Sequence, residues 1–192
     1  MATDAAPHQE RDPDSRPVVP NSRGLSYYLL MGSAVGVYAA WFSLAINVVG
    51  SLAVGNEPLK LLRVYATFFM GAEALGQTAS LGVALFLALI LHSATGAVVG
   101  MPLYLVYHRR FGHHETLIRA ANAVWLGVVM WLANYYLLLS WFQPMVLRWI
   151  AYDGDIRPYI IQNIPLWVAA LTHIAFVQVV LLTRTNRPAG AR

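Results

Sequence analysis

The sequence predicts an all-α integral membrane protein whose four transmembrane helices form a bundle. Only 11% of the 192 residues are charged and 58% are hydrophobic, whereas about 25% of a soluble domain is usually charged. Four segments are long and apolar enough to cross the hydrocarbon, which takes about 20 residues in a helix. None of the four contains Asp, Glu, Lys or Arg. We therefore expect lipid, rather than water, to surround most of the chain.

The region before the first apolar segment has a different composition. Residues 1–24 contain four prolines, mixed charges and no aromatic residue, so they cannot bury enough apolar surface to offset the entropy of folding. They also lack the apolar core of a cleavable signal peptide. We expect a disordered cytoplasmic tail here, a transmembrane domain over 25–184, and a second cytoplasmic tail over 185–192.

The predicted spans cover about 26–54, 79–107, 120–143 and 160–183. We expect Pro144 to end the third span, because proline has no amide hydrogen to donate inside a helix.

The loop after the first span includes the segment LLRVYATFFM. This segment is apolar but too short to cross a bilayer. We expect a short helix that lies at the membrane interface or enters the bilayer part of the way.

Basic residues in the flanks predict the orientation, because Lys and Arg concentrate on the cytoplasmic side. Nine lie on the side that holds both termini: Arg11, Arg16, Arg23, Arg109, Arg110, Arg119, Arg184, Arg187 and Arg192. Four lie on the other side: Lys60, Arg63, Arg148 and Arg157. Both termini are therefore expected in the cytoplasm. The four-span pattern resembles that of small prokaryotic membrane proteins, which implies the cytoplasmic membrane.

Small residues spaced four apart predict where helices pack closely. Gly32 and Gly36 on the first span lie at the same expected depth as Gly100 and Gly96 on the second, which runs in the opposite direction. Glycine lets two helix backbones approach in lipid. Gly127 extends the small-residue pattern to the third span.

Five polar residues lie within the predicted spans and form a candidate intramembrane cluster: Ser43, Asn47, His92, Asn134 and His173. His92, Gly96 and Gly100 share one helix face, so His92 is expected to point toward the first span. One interpretation is a neutral histidine that joins helices by a hydrogen bond to Ser43 or Asn134. The other is a ligand, cofactor or proton site, since ionisable groups inside membranes often mark function.

A weak internal repeat relates the two halves. ALILH ends at His92 and AALTH ends at His173. His92 lies 45 residues after Asn47, and His173 lies 39 residues after Asn134. This pattern fits two parallel two-helix repeats, as in some transporters.

Two histidines on different spans raise the possibility of a b-type haem, which uses axial imidazoles. His92 lies 15 residues from its cytoplasmic span end and His173 lies 10, an offset of about 7 Å along a helix. Haem ligands lie nearly level, so we predict that no haem or other cofactor is bound.

The cytoplasmic loop offers His108, His113, His114 and Glu115 as weak candidate metal ligands. Neighbouring arginines oppose a cation, so a basic loop in contact with anionic lipid is the preferred interpretation. The net charge of +4 is spread along the chain and does not form the dense basic face of a nucleic-acid-binding protein.

These observations favour a non-enzymatic accessory or assembly partner of other membrane proteins. No catalytic triad, phosphate-binding loop or zinc-protease motif is visible. The alternatives are a haem- or ligand-binding membrane protein that uses His92 and His173, and a small transporter built from two repeats.

Overall fold

The computed structural model of the chain describes residues 24–76, 80–110 and 115–183. Residues 1–23 of the tail that is predicted over 1–24, the C-terminal tail, and the loop residues His113 and His114 lie outside these ranges. All regular secondary structure in the described ranges is helical, which confirms the predicted all-α class. Three helices are long and apolar enough to cross a membrane: Leu25–Ala53, Leu81–Arg109 and Thr116–Trp149.

In chain order, the helices are α1 (Leu25–Ala53), α2 (Lys60–Met70), a 3-10 turn (Gly71–Leu75), α3 (Leu81–Arg110), α4 (Thr116–Leu132), a π-helical segment (Ala133–Phe142), α5 (Gln143–Trp149), α6 (Tyr159–Asn163) and α7 (Leu166–Leu182).

The sequence predicts that the third span ends at Pro144. In the structure this helix continues to Trp149. Pro144 lies in the first turn of α5, directly after the π-helical segment. Because proline cannot donate to a carbonyl of the preceding turn, the helix continues past Pro144 with one backbone hydrogen bond fewer. The proline lies where the winding changes from π-helical to α-helical.

The fourth apolar segment is interrupted, which the sequence analysis does not predict. Pro165 favours an extended residue before it, and Ile164 has φ −114° and ψ 122°. Without an amide hydrogen, Pro165 leaves the Ile161 carbonyl unpaired within the helix. The Tyr135 hydroxyl donates to that carbonyl at 3.1 Å and to the Ile164 carbonyl at 3.2 Å. The break is therefore held by a side chain from the π-helical segment.

Packing between the long helices leaves one side of the bundle open. α1 packs along α3 and also against α7, and α7 packs along α4. α3 touches α7 over a shorter stretch, and within the described residues α3 and α4 have at most slight contact. The apolar side chains between α1, α3, α4 and α7 form the main core, which includes Ala39, Tyr104 and Val177.

The loop between α1 and α3 folds back onto the bundle through α2. Arg63 fixes this fold: its guanidinium pairs with Glu57 at 2.8 Å. The same guanidinium donates to the carbonyls of Ala74 at 3.0 Å and Gly76 at 2.7 Å, and also to that of Leu75. These bonds satisfy carbonyls that the short 3-10 turn leaves free. They hold the turn against α2.

One buried stripe along α3 packs against both α1 and α2. Its members recur every four residues and are all buried: Ala84, Ala88, His92, Gly96, Gly100 and Tyr104. α2 packs on the Ala84 and Ala88 end, and α1 packs on the Gly96 and Gly100 end. His92 thus lies between the part of α3 that packs against α2 and the part that packs against α1.

Candidate ligand-binding cavity

A cavity of about 480 Å³ lies between the helices, at the level of His92. All five polar residues that the sequence singles out line it: Ser43, Asn47, His92, Asn134 and His173. α1, α2, α3, α4, the π-helical segment, α6 and α7 all contribute to its wall. The volume falls within the range of about 300–1,000 Å³ that is usual for small-molecule sites.

His92 bonds to the backbone of α1. Its Nε2 lies 2.9 Å from the Ala40 carbonyl oxygen, and because a carbonyl only accepts, Nε2 carries the proton. Nδ1 is buried and has no hydrogen-bond partner among the described residues. The partner therefore differs from both residues that the sequence suggests, Ser43 and Asn134. Ser43 instead donates to the same Ala40 carbonyl at 2.8 Å.

The His92 ring also packs against α2. The rings of Tyr65 and His92 meet edge to face, with centroids 5.0 Å apart and planes at 80°. Aromatic pairs favour this arrangement. The α1 carbonyl and the Tyr65 ring together fix the orientation of the imidazole at the cavity wall.

His173 carries its proton on the other ring nitrogen. Nδ1 lies 2.7 Å from the Ala169 carbonyl, four residues earlier, and donates to it. Nε2 lies 3.1 Å from Nδ2 of Asn134 and accepts a hydrogen bond from that amide. Both nitrogens are thus engaged, and the ring is in the neutral form. Of the polar residues that the sequence singles out, Asn134 and His173 bond to each other, whereas His92 bonds to the Ala40 carbonyl.

The other polar groups at the wall divide into engaged and free ones. Thr95 and Thr172 donate to carbonyls on their own helices, Leu91 at 2.8 Å and Ala169 at 2.9 Å. Tyr65 and Asn47 line the cavity, and the Tyr65 hydroxyl and the Asn47 amide have no hydrogen-bond partner among the described residues. Within the described part of the chain, no Asp, Glu, Lys or Arg lines the cavity.

The π-helical segment supplies much of one wall, including Asn134, Tyr135 and Leu139. Ser140 donates to the Tyr135 carbonyl, five residues earlier, at 3.0 Å, which follows the wider winding. Such segments are rare and occur frequently at functional sites. Here the wider turn brings Asn134 to His173 on α7.

The cavity opens sideways, between α3 and α4. Two of its α3 residues, Ala94 and Val98, are exposed, and Val98 is 63% exposed. Phe142, the last residue of the π-helical segment, also lines the cavity and is exposed. Since α3 and α4 barely touch, the gap between them connects the cavity to the side of the bundle.

Glycine contacts set the distance between α1 and α3. A Cβ added to Gly36 would lie 2.1 Å from the Gly96 carbonyl oxygen, and one added to Gly100 would lie 2.4 Å from that of Gly32. Cβ atoms essentially never come so close to another atom. This close approach lets the Ala40 carbonyl reach His92.

Gly127 has the same role at a different pair of helices. A Cβ added there would lie 2.6 Å from the Ile174 Cα, so α4 and α7 also approach closely. Ile174 directly follows His173, and the contact therefore fixes the helix that carries this histidine.

Of the four candidate metal ligands between α3 and α4, the structure describes His108 and Glu115, and these two do not come together. His108 packs against Tyr104, with ring centroids 4.1 Å apart, and Glu115 is exposed at the start of α4. Within the described part of the chain, no group of three His, Asp or Glu side chains could hold a metal ion.

Comparison of the chain with protein-family models gave no match, and comparisons with curated proteins and with solved structures found no similar protein. The function must therefore be inferred from the cavity itself.

Proposed function

We propose that the protein is a non-enzymatic, four-span membrane protein that holds a neutral, lipid-soluble small molecule in the cavity between its helices. The observation that carries this proposal is a laterally open cavity with largely apolar walls and a few polar groups. Sites for small molecules commonly have this composition. An accessory role, in which the bound molecule is stored or presented to another membrane protein, fits the absence of a catalytic motif in the sequence.

The wall composition supports a neutral ligand. A charged molecule in this cavity would lack an opposite charge, because none of the described residues that line the wall is Asp, Glu, Lys or Arg, and burying an unpaired charge is very costly. The lateral gap faces the zone where lipid chains surround an apolar helix. A ligand that dissolves in the bilayer reaches the cavity directly from there.

A four-span topology is part of this proposal. α7 is apolar and has 17 residues, which gives it a length of about 25 Å. This is at the short end of the range for a span, and α6 extends the apolar segment. With the nine-to-four distribution of basic residues, we place both termini in the cytoplasm of a prokaryotic cell.

We expect a phosphatase reporter, which is active only outside the cytoplasm, to be inactive when fused after Arg192. A green fluorescent protein fusion at the same residue should be bright, because it folds in the cytoplasm. The reverse pattern, with an active phosphatase and a dark fluorescent fusion, would refute the proposed topology.

Photolabelling tests the cavity. We expect 3-azioctanol, a photoactivatable alcohol, to label the π-helical segment of the purified protein in a saturable way. Ala94→Trp places a large side chain at the cavity mouth and should reduce this labelling at least fivefold. The matched control is Ala34→Trp, because Ala34 is also exposed on a long apolar helix but does not line the cavity.

Equal labelling in wild type and Ala94→Trp would contradict the proposal, as would labelling spread evenly over all exposed helix faces. A loss in both variants would indicate a general effect of tryptophan on probe partitioning.

A b-type haem is the second candidate, because His92 and His173 line the same cavity. The hydrogen bonds disfavour it: Nε2 of His92 donates to Ala40, and Nε2 of His173 accepts from Asn134. No Arg or Lys lines the cavity to pair with haem propionates. We expect no Soret band in protein purified without added haem, and a band lost in His92→Ala would favour haem instead.

A further inference from the structure

We propose that the ligand is a quinone or quinol, whose ring carries oxygen atoms on two opposite edges. This inference rests on the proposed function and narrows the ligand class. It depends on two separate polar groups at the cavity wall, one formed by Tyr65 and the other by Asn134 with His173.

The first group is the hydroxyl of Tyr65 on α2, whose ring touches that of His92 on α3. This hydroxyl can both donate and accept a hydrogen bond, and it has no partner among the described residues. Nδ1 of His92 also lacks a partner among the described residues, but that atom is fully buried and is not available to a ligand. A ligand oxygen beside the Tyr65 hydroxyl would supply the hydrogen bond that this group lacks.

The second group lies on the π-helical segment and α7 and also combines a donor with an acceptor. Asn134 uses one amide hydrogen to bond His173. Its Oδ1 and its second amide hydrogen have no partner among the described residues. Because Nδ1 of His173 is held by the Ala169 carbonyl, the ring cannot rotate to take over these positions, and Asn134 keeps its orientation.

A donor and an acceptor on each side suit an oxygen that changes between carbonyl and hydroxyl. The carbonyl of a quinone would accept from Tyr65 or from the Asn134 amide. The hydroxyl of a quinol would donate to the Tyr65 hydroxyl oxygen or to Oδ1 of Asn134. Both redox forms are neutral and dissolve in lipid, as the wall and the lateral opening require.

Other lipid-soluble classes match fewer of these groups. A sterol or long-chain alcohol has a polar group at one end only and would leave one of the two groups unpaired. A fatty acid would bring a carboxylate, and no Lys or Arg lines the cavity to pair with it. The gap beside Ala94 and Val98 gives a prenyl or alkyl tail a path into the bilayer.

The test compares two probes that differ only in their ring oxygens and substituents. Decylubiquinone and decylbenzene are added to the purified full-length protein at equal mole fraction in detergent micelles, and the shift in Tm is measured. A molecule that binds only the folded protein raises its Tm. We expect decylubiquinone to raise the Tm several times more than decylbenzene does.

Two variants locate the effect. Tyr65→Phe removes a hydroxyl that has no partner, so the protein should fold normally, and the apparent affinity for decylubiquinone should fall about tenfold, as for the loss of one hydrogen bond. Tyr38→Phe is the control, because Tyr38 is 65% exposed on α1 and does not line the cavity. Asn134→Leu should weaken binding at least as much, with Asn122→Leu on α4 as its control.

The outcomes separate the two proposals. Equal Tm shifts with decylubiquinone and decylbenzene, both lost in Ala94→Trp, would overturn the quinone assignment and leave the apolar cavity in place. Unchanged decylubiquinone affinity in Tyr65→Phe and Asn134→Leu would also overturn it. No Tm shift with either probe, in a protein that 3-azioctanol does not label saturably, would overturn the ligand-binding function itself.

Discussion

Gly36→Leu is expected to prevent α1 and α3 from packing while leaving membrane insertion intact. Even a single Cβ at this position would lie 2.1 Å from the Gly96 carbonyl oxygen and 2.9 Å from the Gly100 Cα. Both neighbours are backbone atoms and cannot move aside as a flexible side chain would. The two helices must therefore separate, and we expect the free energy of unfolding to fall by at least about 3 kcal/mol.

Gly50→Leu is the matched control for this substitution. Gly50 lies on the same helix, and a Cβ added there would have no neighbour within 4 Å. Leucine favours the helix over glycine by about 1 kcal/mol, so this variant should be at least as stable as wild type. Unfolding by SDS in mixed micelles measures both changes. Equal stability of Gly36→Leu and Gly50→Leu would show that the glycine contact does not hold α1 and α3 together.

Gly36→Leu should also change the cavity. The bond between His92 and the Ala40 carbonyl requires the close approach of α1 and α3, because Ala40 lies one turn beyond Gly36. If the helices separate, His92 loses the one hydrogen bond that it makes within the described residues. We therefore expect any Gly36→Leu protein that still folds to bind ligand poorly.

The position of His92 illustrates how much the sequence can reveal. The spacing of His92, Gly96 and Gly100 places the histidine on a face that meets a neighbouring helix, and the depth of Gly32 and Gly36 identifies α1 as a candidate neighbour. Both inferences follow from helix geometry alone. The partner atom does not follow from it, because a backbone carbonyl such as that of Ala40 leaves no trace in residue type.

Tyr65 shows where the sequence is insufficient. It lies in an apolar loop segment that is too short to span, and nothing in its spacing relates it to His92. Its place in the cavity depends on how α2 folds back over Ala84 and Ala88. One signal was available: these two alanines continue the small-residue face of His92 toward the N-terminal end of α3, where a helix other than α1 must cover them.

The two helix irregularities have similar causes. Pro165 is visible in the sequence, yet its effect depends on Tyr135 being near enough to donate a hydrogen bond to the freed Ile161 carbonyl. The π-helical segment has no residue signature, and only packing decides where it starts. The gap between α3 and α4 is likewise a property of the assembled bundle, so the cavity and its opening could not be derived from the separate spans.

A contact between Gly71 and Tyr152 holds the C-terminal end of α2 in place. Gly71 follows α2 with φ 52° and ψ −140°, a conformation that side chains rarely adopt. A Cβ added there would lie 2.1 Å from the Tyr152 ring, whose hydroxyl accepts a hydrogen bond from the Ala72 amide at 3.2 Å. This contact joins the end of α2 to the loop after α5. It thereby keeps Tyr65 and the rest of α2 over the cavity.

We expect Gly71→Ala to lower the free energy of unfolding by about 2 kcal/mol, since backbone strain adds to the cost of displacing the end of the Tyr152 side chain. Gly55→Ala isolates the first effect. Gly55 also has a positive φ, 71°, but a Cβ there would have no neighbour within 4 Å, so about 1 kcal/mol of strain is expected. Tyr152→Ala in the Gly71→Ala background removes the clash and should restore part of the stability. Equal losses in Gly71→Ala and Gly55→Ala, with no recovery in the double variant, would mean that Tyr152 does not fix the end of α2.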